Sequence, residues 1–300
     1  MGAGIARNHP AFPLTRHSRA TPPSPPFSQP WRCTFLSLLQ LHRWCRRHGI
    51  LRFVGRPVNG VMSRLSGQFP SDLDAPLILA SASPRRRELL GLTGWAFLTA
   101  SVPIDETPGP GEAPEELVQR LSLEKARAVA QARGRAREWI LSADTVVADG
   151  QQALGKPKTR AQAREFLRRL RGREHRVLTG LALLEPSSGR SWTELAQSSV
   201  RMREYLDAEL ERYLDSGDPM DKAGAYGIQH NEFHPVADLE GCYANVMGLP
   251  LCHVQDLILK VGLRPPADLP AACAHQLGYH CTAAEAQWSD TQSLKGSMET

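Results

Sequence analysis

Asp144 is the residue of this 300-residue chain whose surroundings most demand a chemical reason. It stands inside Ile140-Leu141-Ser142-Ala143-Asp144-Thr145-Val146-Val147, a run that otherwise belongs in a core. A carboxylate there is costly to bury unless it is paired, hydrogen-bonded or bound to a metal. At a strand end facing a pocket it would ligate a divalent cation or take a proton from water. The other reading is a structural carboxylate that caps a neighbouring turn. A second concentration of chemistry is Ser81-Ala82-Ser83-Pro84-Arg85-Arg86-Arg87, directly after the apolar run Leu77–Ala80. Ser83 suits a helix N-cap and Pro84 the first helical position, where its missing N–H is no loss. The turn then offers a hydroxyl, free helix N–H groups and guanidinium forks, a set that would hold a polyanion such as a phosphate chain. An ordinary strand–turn–helix with solvated arginines would read the same way.

The lysines add a third signal. The chain uses 30 arginines and only six lysines, yet Lys125, Lys156 and Lys222 each fall in a segment of unusual composition. Lysine is a compact point charge suited to phosphate oxygens. Asp105 and Glu106 form a loop pair that is either solvated or metal-bound. Gly155-Lys156-Pro157 lacks the spacing of a P-loop. Gly224-Ala225-Tyr226-Gly227, just before Gln229, implies close backbone approach, to a ligand or to a neighbouring strand.

The elements that must position these residues follow from periodicity and turn signals. Leu77–Ala80 reads as a buried strand feeding a helix at Pro84, and Trp95–Leu98 as a second strand. A helix is expected from Pro114 to about Arg133, carrying Lys125, then a buried strand over Trp139–Ala148. Asp149-Gly150 signals a hairpin. Thr159 caps a basic amphipathic helix over 160–171. Val177–Leu184 and Glu194–Met202 read as strands, Asp207–Leu214 as a helix, and a final helix runs to about Val261. Strands interleaved with helices predict an α/β protein with a twisted, mixed sheet and flanking helices.

Composition bounds the rest. The net charge of +5 is uneven: residues 1–71 hold ten arginines, no lysine and no acid, while the remaining 229 residues carry a net −5. The Pro- and Ser-rich 1–71 block reads as a disordered leader, either an organelle transit peptide or translated upstream sequence with Met62 as the true start. The preference for arginine over lysine points to a GC-rich genome and favours the second. Its short apolar run cannot span a bilayer, and it is not read as a nucleic-acid arm despite its charge. Six scattered cysteines without a CxxC pair suit free thiols in a reducing, cytoplasmic compartment. Cys273, His275, His280 and Cys281 match no usual zinc spacing. Residues 263–300 read as a loose C-terminal tail.

Several of these segments together resemble the Maf family. They are Ser81–Arg86, Ile104–Thr107, Glu124-Lys125-Ala126, Ala143–Val147, Gly155-Lys156-Pro157, His175–Gly180, Asp221–Gln229 and Asn245–Pro250, ordered within about 77–262. The resemblance implies a Maf/ITPase-like fold of two lobes around a nucleotide cleft, usually dimeric. It implies hydrolysis of a nucleoside triphosphate between its α and β phosphates, giving monophosphate and pyrophosphate with Mg²⁺ or Mn²⁺. By that resemblance Asp144 accepts the proton of the attacking water, and Ser81, Arg85, Arg86, Lys125 and Lys156 hold phosphates. Glu106 joins Asp144 in binding the metal. Arg85, Thr145 and Gln229 match positions that set base choice, and here they look like the branch acting on dTTP and UTP rather than 7-methyl-GTP. A departure is His230, where the family has glycine; its side chain is expected to narrow the cleft mouth. A non-catalytic regulator of cell division would keep the pocket without needing Asp144.

Overall fold

The computed structural model describes residues 77–134, 138–265, 267–279 and 281. The leader, with Met62, and the tail from 282 onward lie outside the described residues, as does His280. In chain order the elements are β1 (Leu77–Ala80), α1 (Pro84–Gly91), β2 (Phe97–Ala100), α2 (Pro114–Arg133), β3 (Ile140–Asp149) and β4 (Gln152–Leu154). There follow α3 (Arg160–Leu170), β5 (Glu174–Glu185), β6 (Arg190–Met202), α4 (Asp207–Asp215), β7 (Val236–Glu240), α5 (Tyr243–Met247), α6 (Leu251–Lys260) and α7 (Leu269–Leu277). Two short 3₁₀ turns, Asp218–Asp221 and Ala223–Ala225, lie between α4 and β7.

The strands form one mixed sheet in the order β2-β1-β3-β5-β6-β7, with β4 added at the far end of β3. β1 runs parallel to β2 and β3, and the other pairs are antiparallel. One detail of the pairing makes the site. β1 meets β3 only at Ile140 and Leu141, and β4 meets it only from Val147 onward. Between these contacts residues 142–146 have a strand on one side alone, that of β5. The sheet is therefore open beside Asp144.

Alternation along β3 and β5 sends successive side chains to opposite faces. One face packs under α2 through Leu117, Val118, Leu121, Ala126 and Val129. The other face carries two separate cores. Near β1 it packs α1, α6 and α7 through Leu89, Leu90, Leu257, Ile258 and Leu269. Near β4 it packs α3, α4 and the 3₁₀ segment through Phe166, Leu167, Leu210, Tyr213 and Tyr226. These two cores are the two lobes. Thr159 caps α3, its hydroxyl accepting from the Gln162 N–H at 3.1 Å. The arginines of α3 pair with acids of α4, Arg164 with Glu211 at 2.7 Å and Arg168 with Asp207 at 2.8 Å.

Two elements depart from expectation. β7 is an edge strand whose residues are partly or fully exposed, so it lacks the apolar run that marks a strand. Helix α7 lies within the stretch read as a loose tail. Asp268 caps it by accepting from the Ala271 N–H at 3.1 Å, and Leu269 and Cys273 are buried. Its Pro and Ala content hid a short helix whose fold depends on the core it covers. Of the imagined zinc ligands, Cys273 and Cys281 sit in that core. No group of three or more metal-ligating side chains occurs among the described residues.

His175 on β5 ties the sheet to the segment that bears Gln229, with Nε2 at 2.7 Å from the Tyr226 hydroxyl. Its Nδ1 is buried with no hydrogen-bond partner among the described residues. Burial pushes its pKa down to about 4 from 6.5. The unfolded chain takes up this proton as pH falls through 6.5, while the folded chain resists until about 4, so stability declines with acidification over that window. The expected loss approaches about 3 kcal/mol near pH 4. His253, also held low by burial, acts in the same direction. The check is therefore a difference: His175→Gln should flatten urea-melt stability between pH 6.5 and 4.5 relative to wild type.

Candidate active site

The cleft enters the sheet at its opening and encloses about 830 Å³, within the range of small-molecule sites. Its walls come from the start of α1, the loop after β2, the middle of α2 and β3, the turn after β4 and the segment 221–229. Asp144 projects toward α2 and is only 7% exposed. From α2, Lys125 bonds the Asp144 carboxylate and also Glu106 Oε1 at 2.6 Å. Ser142 holds the helix to the strand, its hydroxyl donating to the Ser122 carbonyl at 2.5 Å.

One ammonium thus joins two carboxylates whose proton affinities differ. Burial raises the Asp144 pKa, and the opposing charges of Lys125 and Arg86 do not cancel it. Burial also acts on the more exposed Glu106, yet the Lys125 hydrogen bond and the charges of Lys125, Lys156 and Arg86 hold it below the ordinary carboxylate range. Asp144 is the group of the pair suited to receive a proton, and Glu106 stays anionic. The converging oxygens are hard donors of the kind that Mg²⁺ or Mn²⁺ takes, so the donor set fits such an ion.

The cations divide into two kinds. Lys156 and Lys158 are exposed at the cleft wall. Arg85 also lines it and reaches Asp221 through bonds of 3.3 Å to its carboxylate and its carbonyl. Arg86 and Lys222 line the cleft too, but with their donors held by the protein. Arg86 donates to the Gly248 carbonyl at 2.7 Å, the Ala143 carbonyl at 2.7 Å and Thr145 Oγ1 at 2.9 Å. Lys222, nearly buried, bonds Asp218 and Asp221. Ser81 differs from expectation as well. Its hydroxyl accepts from the Ser83 N–H at 3.2 Å beneath the turn, and Ser83 is the serine that lines the cleft. Ser83 makes no side-chain cap.

Thr145 faces away from α2 and shares a hydrogen bond of 2.9 Å with Thr179 on β5. Gln229 is exposed at the cleft margin. The glycines before it approach the chain itself: a side chain at Gly224 would meet Val147, and one at Gly227 would meet Lys222. His230 does not narrow the mouth. Its Nδ1 accepts from the Phe233 N–H at 3.0 Å and its ring stands edge-on to Tyr213, away from the cleft. Sequence reasoning missed Lys158, and it quoted Thr179 and Gly248 only within matching segments, without a role. Lys158 shares the rarity of lysine in this chain, the one signal that would have singled it out.

The profile of Maf-like proteins matches residues 76–261, more than half of the chain. This chain belongs to the Maf-like family. The dTTP/UTP pyrophosphatase of Hahella chejuensis is 46% identical over 193 residues, covering 64% of the Maf-like chain and 95% of that protein. The protein of the same name from Myxococcus xanthus is 46% identical over 191 residues, covering 63% and 94%. That of Dehalococcoides mccartyi strain BAV1 is 43% identical over 189 residues, covering 63% and 84%. Among solved structures, the Staphylococcus aureus Ham1 protein aligns with 53% of this Maf-like chain and 79% of its own, at a TM-score of 0.31 and 11% identity.

Proposed function

We propose that this Maf-like chain is a nucleoside triphosphate pyrophosphatase that hydrolyses dTTP and UTP to the monophosphate and pyrophosphate. The observation that carries the reading is the Asp144–Lys125–Glu106 cluster at the opening in the sheet, under a cleft with cations at its wall. Phosphoryl transfer asks a protein to neutralise charge and place a water more than to form bonds itself. Lys156, Lys158 and Arg85 supply positive charge where a triphosphate would lie. Asp144, buried and with raised proton affinity, accepts the proton of the attacking water. Glu106 and Asp144 are the residues that would hold a divalent cation. That ion, when bound, offsets phosphate charge and acidifies water.

Base choice rests on Gln229, whose amide both donates and accepts and so matches the imide edge of thymine or uracil. A site that pairs with a polar edge discriminates well, because a wrong base leaves groups unpaired. The similarity to the dTTP/UTP pyrophosphatases supports the same choice. The reading further includes a cytoplasmic location, with which free Cys242, Cys252 and Cys273 are consistent, and a homodimer. No helix among the described residues is long and apolar enough to cross a membrane.

The test is pyrophosphate release by the purified chain with Mg²⁺ or Mn²⁺ across dTTP, UTP, CTP, ATP, GTP and 7-methyl-GTP. The expected result is kcat/KM for dTTP and UTP at least tenfold above the purine nucleotides. Gln229→Ala should erode that preference more than it lowers the best rate. Preference for 7-methyl-GTP would overturn the substrate, and orthophosphate release would overturn the reaction. Light scattering during size exclusion checks the dimer.

A further inference from the structure

We infer that Arg86 is a positioning residue that takes the place of the missing strand beside Asp144. Its kinetic consequences rest on the pyrophosphatase reading; its structural role does not. Residues 142–146 of β3 have no neighbouring strand on the side of β1 and β4. A polar backbone group left unpaired at such an opening costs about as much as a lost hydrogen bond. Arg86 supplies the partner, its Nη1 donating to the Ala143 carbonyl at 2.7 Å. From the same fork Nη2 donates to Thr145 Oγ1, which is joined in turn to Thr179 on β5. Nε donates to the Gly248 carbonyl at the end of α5.

One guanidinium therefore grips β3 on both sides of Asp144 and anchors it to two other elements. Three of its five N–H groups are used in three different directions. A lysine, with its charge on a single atom, cannot reproduce that planar arrangement. The seat is shaped to the fork. Gly248 has a φ of 104°, and a side chain there would come within 3.3 Å of both Arg86 Nε and Thr145 Oγ1. Arg85, one residue earlier, makes only 3.3 Å contacts to the exposed Asp221. Of the two adjacent arginines, Arg85 is the one a phosphate could draw away without opening the sheet. A phosphate drawing Arg86 away would leave the Ala143 and Gly248 carbonyls without this donor.

Arg86→Lys keeps the charge and removes the fork. The expected outcome is a fall in kcat of roughly 10²-fold, as for a catalytic group displaced by about 1 Å. KM for dTTP and the Kd of inorganic pyrophosphate should stay within threefold of wild type. Arg85→Lys should show the opposite split, with pyrophosphate affinity more affected than kcat. A tenfold rise in pyrophosphate Kd for Arg86→Lys with kcat changed less than threefold would overturn the assignment. Should that variant fail to fold, the wild-type chain labelled with ¹⁵N-arginine decides. The Arg86 Nε–H resonance should exchange slowly with solvent and keep its shift at saturating Mg²⁺ and pyrophosphate. Fast exchange, or a shift as large as that of Arg85, would refute the role. A wild-type chain that hydrolyses no nucleotide would sink the proposed function, and the resonance measurement would still judge Arg86.

Discussion

Asp144→Asn should lower kcat for dTTP by about 10²–10⁴-fold while the protein stays folded. The substitution keeps shape and a hydrogen-bond acceptor for Lys125 but removes the proton-accepting charge. Asp144 lies at the opening in the sheet, buried enough for its proton affinity to rise, with Lys125 and Arg86 close by to keep its anionic form accessible. Glu106, more exposed and held anionic, cannot replace it without leaving its loop. Thermal melting within a few degrees of wild type, together with the collapsed kcat, is the expected pair of results. A mutant keeping more than about a third of the rate would remove Asp144 from that role.

Gly180→Ala should be among the most destabilising single changes in the domain. Gly180 pairs with Asp144 across β3 and β5, and α2 crosses directly above it. A methyl group there would sit 2.2 Å from the Val118 carbonyl oxygen and 2.8 Å from the Gln119 nitrogen. Both are helix backbone, so the whole of α2 must move, not one flexible side chain. Overpacking of this kind costs about 3 kcal/mol or more, a drop of roughly 6–12 °C in Tm. Because α2 carries Lys125, the surviving folded protein should also lose activity by about 10²-fold. An unchanged Tm would show that the helix yields freely at this crossing.

How far the site was legible depended on whether a residue's role was local. Asp144 stood out because a carboxylate in an apolar run contradicts its neighbours, and Lys125 because lysine is rare in this chain. The order of strands and helices followed from apolar periodicity, and the cap at Thr159 from chemistry within four residues. Arg85 and Arg86 share a phosphate-holding role in the sequence reading, and only the family resemblance sets Arg85 apart, for base choice. They are adjacent at the start of α1, and what separates their roles is an opening between strands 50 to 70 residues away in the chain. Lys222 likewise looks like a phosphate ligand until the acids folded around it are seen. His230 stands beside Gln229 yet points elsewhere, because Tyr213 of α4 offers its ring a surface. β7 and α7 were missed because exposure and mixed composition erased their periodicity.

The two lobes have separate cores, yet β3 and β5 pass unbroken through both, paired from Ile140 to Ala148. Neither lobe can lose its packing without releasing half of a ladder on which the other depends. Heat or denaturant should therefore melt them in one cooperative transition, with calorimetric and van't Hoff enthalpies in agreement. The same continuity rules out a loose hinge: closing on a nucleotide must come from loops and side chains at the rim, because bending would have to run through the strand that holds Asp144.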